Sequence, residues 1–292
     1  MSIILHLYNF SNLLFKSILS LIKIFVLSDF SAIRFAKDLN HKKSVIILGN
    51  GPSLSIDLKK INNINNFDLF AVNHFADHNL FTSLKPRYYC INAPELFLDN
   101  SSMELANRRD VLFSNLSSKT NWDMTLFVIN SAKKSYRWQD IISVNNNIKI
   151  RYYNNTPIDG FNFFKFFLWR NNFGLPAPHN VLIPSVIQSI NLSYKKIFLL
   201  GVDHSWLNEI FVTDENVVLL NQKHFYDQLK SKHMPMSKDL NSSRKLHEVL
   251  QKFYYTFRGY HEIEEFSSNY HVFVYNLTAG SYIDAFKREE SC

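Results

Sequence analysis

The sequence predicts an α/β fold: a doubly wound, mostly parallel Rossmann-like sheet with a small lid insertion and an N-terminal amphipathic helix. Three observations carry this. From Ser44 onward, strand-like runs alternate with helix-like or irregular segments, the pattern of a parallel sheet with crossover connections. Several of the runs are continuously apolar and do not alternate, as expected of strands covered on both faces. The first run, Ser44–Leu48, empties into Gly49-Asn-Gly-Pro-Ser53, a tight loop that opens an amphipathic segment.

Residues 3–30 come first and are mostly Ile, Leu and Phe. Asn9, Asn12, Lys16, Ser20 and Lys23 recur every three or four positions and share one face of a helix. The two lysines interrupt an apolar span of roughly 20 residues, so a transmembrane helix is not expected. A basic start and a small-residue cleavage site, the marks of a signal peptide, are missing. Two readings stay open: an in-plane membrane helix, and a helix packed on the domain or on a second subunit, which leaves a homo-oligomer open.

The expected strands are Ser44–Leu48, Asp68–Val72, Tyr88–Ile91, residues 125–129, Ile148–Tyr153, Lys196–Leu200 and residues 271–275. Helical periodicity is clearest over 182–192 and 243–257. Residues 207–246 are polar and weakly periodic, which marks a lid. The chain thus divides into a helical segment at 1–40, a Rossmann-like core at 41–206, a lid at 207–246 and the rest of the core at 247–292.

In such folds ligands bind beyond the carboxyl ends of the strands. Gly49, Asn50, Gly51 and Ser53 follow the first strand, Asn73 the second and Asn92 the third. Gly201-Val-Asp-His-Ser-Trp206 follows the strand Lys196–Leu200. Three asparagines at successive strand ends supply amide donors and acceptors without adding charge. The two glycines allow close approach of a ligand, and the free N–H groups of the following helix start attract a phosphate. Asp203 either takes part in chemistry or supports its loop, and His204 either pairs with it or packs. Thr278 and Ser281, near Gly280, read as helix N-caps. Asp57 reads as a solvated helix position.

Composition narrows the function classes. Aromatic residues make up 15% of the 292 positions, enough for a substantial core and against chain-wide disorder. Cys90 and Cys292 are the only cysteines, so a disulfide framework is not expected and a reduced, cytoplasmic setting is. The net charge of +7 suits anionic partners. The basic residues are scattered, and no nucleic acid is expected among them.

The order Gly49-Asn-Gly-Pro-Ser-Leu54, a strand ending Asn73-His-Phe75 and an aromatic strand ending in Asn92 resembles the bacterial sialyltransferases of glycosyltransferase family 42. Ile190-Asn-Leu-Ser-Tyr-Lys-Lys-Ile-Phe-Leu-Leu-Gly-Val-Asp203 is similar to that family's Gly-Tyr-Lys-Glu-Ile-Tyr-Leu-x-Gly-Ile-Asp stretch. The chain also resembles the wider group called domain of unknown function 115, which includes motility accessory factors and a pterin diphosphokinase. The likeness runs in islands from residue 44 to about 285.

The resemblance implies a variant GT-A, sialyltransferase-like fold and a metal-independent glycosyltransferase. The donor would be a CMP-activated ulosonic acid (sialic acid, Kdo or a relative). The acceptor would be a bacterial surface glycan or glycolipid such as lipopolysaccharide or capsule. It places Gly49, Asn50, Gly51 and Ser53 at the CMP ribose and phosphate, and Asn73 and Asn92 at the nucleotide sugar. It implies a lid histidine as base: His224, followed here by Phe225 and Tyr226, with His233 the second candidate. Ser205 stands where the family has a tyrosine, and His179-Asn-Val-Leu-Ile-Pro184 replaces its Arg-x-x-Ser-Gly. The catalytic candidates are therefore His224, Asp203 and His233. A CMP donor has one phosphate and no pyrophosphate, so no metal and no cofactor are expected, and no Asp-x-Asp motif is present. The N-terminal helix would hold the enzyme at the inner face of the cytoplasmic membrane. The alternatives are a phosphotransferase or diphosphokinase of the related group and a non-catalytic binding protein of glycan biosynthesis.

Overall fold

The structure is a computed structural model that describes residues 2–33, 42–97, 103–221, 233–236 and 242–292. Its centre is an eight-stranded sheet in which every pairing is parallel. The strands are β1 (Ser44–Leu48), β2 (Asp68–Val72), β3 (Tyr88–Ile91), β4 (Met124–Ile129), β5 (Ile148–Tyr153), β6 (Lys196–Leu200), β10 (Phe273–Asn276) and β11 (Lys287–Arg288). Their order is β11-β10-β6-β1-β2-β3-β4-β5. The chain starts mid-sheet, walks outward from β1 to β5, then returns to lay β6 on the other side of β1. The winding therefore reverses between β1 and β6.

The central strands have the continuous apolar character that double coverage requires. Val45 to Leu48, Phe70, Ala71 and Tyr89 to Ile91 are all fully buried. Among the described residues, eight helices flank the sheet: α1 (Ser2–Leu27), α2 (Leu54–Asp57), α3 (Leu80–Leu84), α4 (Met103–Lys119), α5 (Arg137–Ser143), α6 (Asn162–Arg170), α7 (Leu182–Asn191) and α8 (Leu246–Asn269). Helix α7 is buried along its whole length and packs on α8, β1 and β2. Its polar residues are hydrogen-bonded there: Ser185 Oγ donates to Val181 O, and Asn191 Nδ2 to Trp169 O. Pro184 falls in the first turn, where a missing N–H leaves no helical bond unmade. Gly259 of α8 gives the close approach to α7, since a Cβ there would lie 2.9 Å from Ile183 Cδ1.

Within 207–246 the described residues form a second, antiparallel sheet of β7 (Ile210–Val212), β8 (Val218–Leu220) and β9 (Met234–Pro235). Val218 and Leu220 pack with Val249 and Phe253 of α8 and with Trp206, a cluster separate from the main core.

Helix α1 docks on the segment after β5 through its small and polar side. Ser20 Oγ donates to Asp159 O and accepts from Asp159 N, and Ser17 Oγ accepts from Phe161 N. Gly160 sits at φ 127° under Ser17 with no room for a Cβ. Ser28 Oγ donates to Phe173 O, and Lys16 pairs with Asp159 at 3.1 Å.

Three expectations need correction. The amphipathic segment expected after Gly51 is a single helical turn followed by a 3-10 turn. Asp57 is not solvated but fully buried. No helix follows Thr278 or Ser281; their hydroxyls instead clamp the Val202 backbone, accepting from its N–H and donating to its carbonyl respectively. The expected doubly wound parallel sheet is present, with every pairing parallel.

Candidate functional site

The cleft lies at the carboxyl ends of β1 and β6, where the winding reverses and the flanking loops diverge. The loops after the two strands continue the pairing beyond the sheet: Gly49 N donates to Leu200 O and Gly51 N to Gly201 O, both at 2.8 Å. Gly201 turns with φ 64°. Neither Gly49 nor Gly51 has a positive φ. They are glycine because the neighbouring loop presses on them: a Cβ on Gly51 would overlap Asp203 Oδ2 and lie 2.6 Å from Gly201 O. The close approach is thus of chain to chain, where the sequence reading had a ligand.

Buried polar groups organise the floor. Asp57 accepts from Gly201 N at 3.0 Å, from Lys60 Nζ at 2.7 Å and from Ser53 Oγ at 2.9 Å. Lys60 also donates to Leu277 O, tying the first loop to the end of β10. Ser53 Oγ lies 2.9 Å from Asp203 Oδ2 as well, and Ser53 N points at the same oxygen from 3.4 Å. One hydroxyl proton therefore faces two carboxylates. Burial pushes the Asp203 carboxyl above the usual range; the Ser53 hydrogen bonds oppose this, and the nearby Asp57 charge adds to it. These contacts also occupy the donors of Ser53 that a phosphate at the loop would need.

The cleft wall carries carboxamides. Asn50 Nδ2 donates to Val72 O at 3.1 Å, while its Oδ1 is buried with no partner. Asn73 stands in the left-handed region at φ 46°, with its carbonyl held by the Tyr89 hydroxyl and its Oδ1 likewise buried and unpartnered. Asn221, at the end of β8, lines the same cleft, is 6% exposed, and also has an unpartnered Oδ1 among the described residues. A buried acceptor without a donor costs on the order of 1–3 kcal/mol. The three residues line one cleft, and among the described residues their unpartnered oxygens are buried in its wall. Asn180 completes the rim and caps the first turn of α7, its Oδ1 accepting from Leu182 N at 2.8 Å.

A larger lobe of about 490 Å³ shares Asn73, Asn180 and Val181 with this cleft. Arg244, Lys252, His179 and Tyr255 line it. Glu248 lines it with them, and burial, reinforced by the charges of Lys252 and Arg244, lowers the His179 pKa.

The sequence-derived candidates are distributed as follows. Gly49, Asn50, Gly51, Asn73, Asp203 and Ser205 line the cleft, and Ser53 supports Asp203 from beneath. Asn92 borders the larger lobe, but its amide is engaged on both sides: Nδ2 donates to Pro178 O and Oδ1 accepts from the Tyr153 hydroxyl. His233 is exposed beside β9, against Phe211, and is not among the residues lining either lobe. His224 lies outside the described residues. Asn180, Asn221 and Arg244 were not singled out as site residues. Asn180 carried a signal, the helix start at 179–184. Asn221 carried none, because a three-residue strand leaves no readable period.

His204 is a packed histidine and does not pair with Asp203. It is buried at φ 51°, its ring 4.1 Å from that of Trp206, with Nε2 2.6 Å from the Tyr260 hydroxyl. Burial pushes its pKa down to about 3, and the Tyr260 phenol is pushed well up, so the phenol donates and the imidazole stays neutral. Its imidazole resonance is expected not to titrate between about pH 5 and 8; an NMR midpoint near the ordinary histidine value would overturn this placement. Between 6.5 and 3 the unfolded chain takes a proton that the folded His204 refuses. This site therefore loses stability as pH falls through that window.

Fold and cleft together define the class: a doubly wound α/β protein with a cleft at its topological switch point. No family model matches the sequence, and no curated protein matches it. Among solved structures, the chain is similar to the MAf glycosyltransferase from Magnetospirillum magneticum AMB-1, with 11% identity and a TM-score of 0.47. The match covers 91% of this chain and 37% of that one, so the chain spans little more than a third of its neighbour's length.

Proposed function

We propose that the chain is a metal-independent glycosyltransferase that moves a CMP-activated ulosonic acid onto a bacterial surface glycan. The observation that carries the reading is the set of unpartnered, buried carboxamide oxygens of Asn50, Asn73 and Asn221 around one cleft at the switch point. Cytosine and ribose present N–H and O–H groups that such acceptors match. In this reading the β1 loop from Gly49 to Ser53 seats the nucleotide, and Asn73 and Ser205 meet the donor sugar. Asn92 holds the wall that they share.

Asp203 and Glu209 are the acidic residues lining the cleft, and the raised pKa of Asp203 suits transfer of the acceptor hydroxyl proton. The cations of the larger lobe, Arg244 and Lys252, take the donor carboxylate or the acceptor's anionic group. His224 and His233 are the base candidates of the proposal.

Calorimetric titration with CMP, UMP, GDP and ATP, each with and without Mg²⁺, tests this. CMP is expected to bind without the metal, and Asn50→Ala is expected to weaken it by about 10–100-fold, the loss of one to two buried hydrogen bonds. Binding only of ATP or GDP with Mg²⁺ would instead favour a phosphotransferase. Absence of nucleotide binding would favour a non-catalytic partner protein.

A further inference from the structure

Helix α1 is amphipathic the wrong way round for a helix on a protein surface. The side it turns to the domain carries Ser17, Ser20 and Lys16, with Ile24 the apolar member of that contact. The side it turns outward carries Leu14, Phe15, Ile18, Leu21, Ile22 and Phe25, each between 42% and 74% exposed. Residues 3–10 are exposed throughout. The apolar surface continues onto α6, where Phe163 is 77% exposed and stacks on Phe161, itself in contact with Phe10. A surface of this extent on a water-facing helix marks an interaction site.

We infer that α1 lies in the plane of an anionic lipid bilayer, its Leu/Ile/Phe face sunk into the headgroup–acyl boundary and its serine face bolted to the domain.

Charge and shape favour lipid as the occupant. Residues 1–28 contain no Asp or Glu, and they carry Lys16 and Lys23. Asn130 Nδ2 donates to Leu27 O, and Lys133 pairs with Asp29, so Lys133 and the exposed Lys134 stand at the carboxyl end of the helix. Lys16 and Lys133 are paired with Asp159 and Asp29, so among the described residues Lys23 and the exposed Lys134 are the lysines left to meet anionic headgroups beside the apolar face. The outward residues also cover more of the helix than the narrow stripe that a partner helix would bury, and a fluid phase can cover that breadth.

Over Ile3–Leu27 α1 is long and apolar enough to cross a membrane, contrary to the expectation drawn from its two lysines, but its docked side opposes a spanning orientation. Ser17, Ser20, Ile24 and Ser28 extend along roughly 17 Å of the axis at 1.5 Å per residue. On that side α1 meets Asp159, which also pairs with Arg258. A spanning helix would need lipid around some 20 residues.

Flotation of the full chain with vesicles of phosphatidylcholine and phosphatidylglycerol in a three-to-one ratio tests the inference. The chain is expected to float with them. The triple substitution Ile18→Asp, Ile22→Asp and Phe25→Asp is expected to lower partitioning by roughly 10-fold or more. Spin labels at Ile4→Cys, Phe15→Cys and Phe25→Cys, in a Cys292→Ser background, are expected to report one shared shallow depth. That measurement decides even if the triple variant fails to fold. A chain that stays in the soluble fraction, as monomer or as a dimer through α1, would overturn the proposal. So would label depths that pass through the bilayer centre.

Discussion

Asp57→Ala is expected to destabilise the fold by about 3–5 kcal/mol, the cost of leaving a buried charge and its donors unpaired. The carboxylate is fully buried, and three groups depend on it: the Lys60 ammonium, the Gly201 N–H and the Ser53 hydroxyl. Removing it strands Lys60 between Leu277 O and an empty site, and takes away one of the links between the β6 loop and the β1 loop. Asp57→Asn keeps one acceptor for Gly201 N and is expected to lose less. Urea unfolding monitored by circular dichroism is the measurement. An Asp57→Ala midpoint equal to that of the parent would mean that the pair is not what joins the loops.

Asp203→Asn is expected to move activity and stability in opposite directions. The carboxylate faces Asp57 across a hydroxyl with one proton, so at neutral pH the folded state holds a charge that burial disfavours. An amide in its place can donate to Ser53 Oγ, leaving the hydroxyl proton for Asp57, and is expected to add about 1 kcal/mol of stability. The sign follows from linkage. A carboxyl whose folded pKa lies above 3.8 binds its proton more tightly when folded. Its penalty is therefore absent at low pH and sets in as pH rises from 3.8 through the raised value. The gain from Asp203→Asn should shrink on acidification over that window, whereas the His204 contribution is common to both proteins. Turnover, if Asp203 moves the acceptor proton, is expected to fall by about 10²–10⁴. Unaltered turnover with a raised melting temperature would reduce Asp203 to a loop support.

Much of the sheet was legible because its strands are apolar runs ended by Gly or Asn. All seven predicted strands exist, and the largest boundary shift, at β10, is two residues at its start. The small sheet was hidden: β7, β8 and β9 are two or three residues each, too short to display a period. The strand-end residues Asn50, Asn73 and Asp203 were readable as cleft residues, since a parallel sheet brings every carboxyl end to one edge. Their support was not. Asp57 looks like any helix acid until Gly201, far along the chain, is placed against it. The same holds for His204, whose environment is set by Tyr260 on α8. The polar residues of α1 were read as a stripe, but only packing could tell which way they face.

The reversal between β1 and β6 also governs when the cleft can come into being during synthesis. β1 is made early, yet its partner on one side arrives with residues 196–200, and the brace from Leu277 follows only after β10. At ribosomal rates of about 5–20 residues per second, β1 waits on the order of 10 seconds with one edge unpaired. Through that interval the nascent chain presents Val45 to Leu48 as an open apolar edge, a template for mispairing and for chaperone capture. Closing a loop of that length before any contact rewards it makes this the slow step of folding. The cleft, built on the last pairings to form, is a report that the whole chain has arrived.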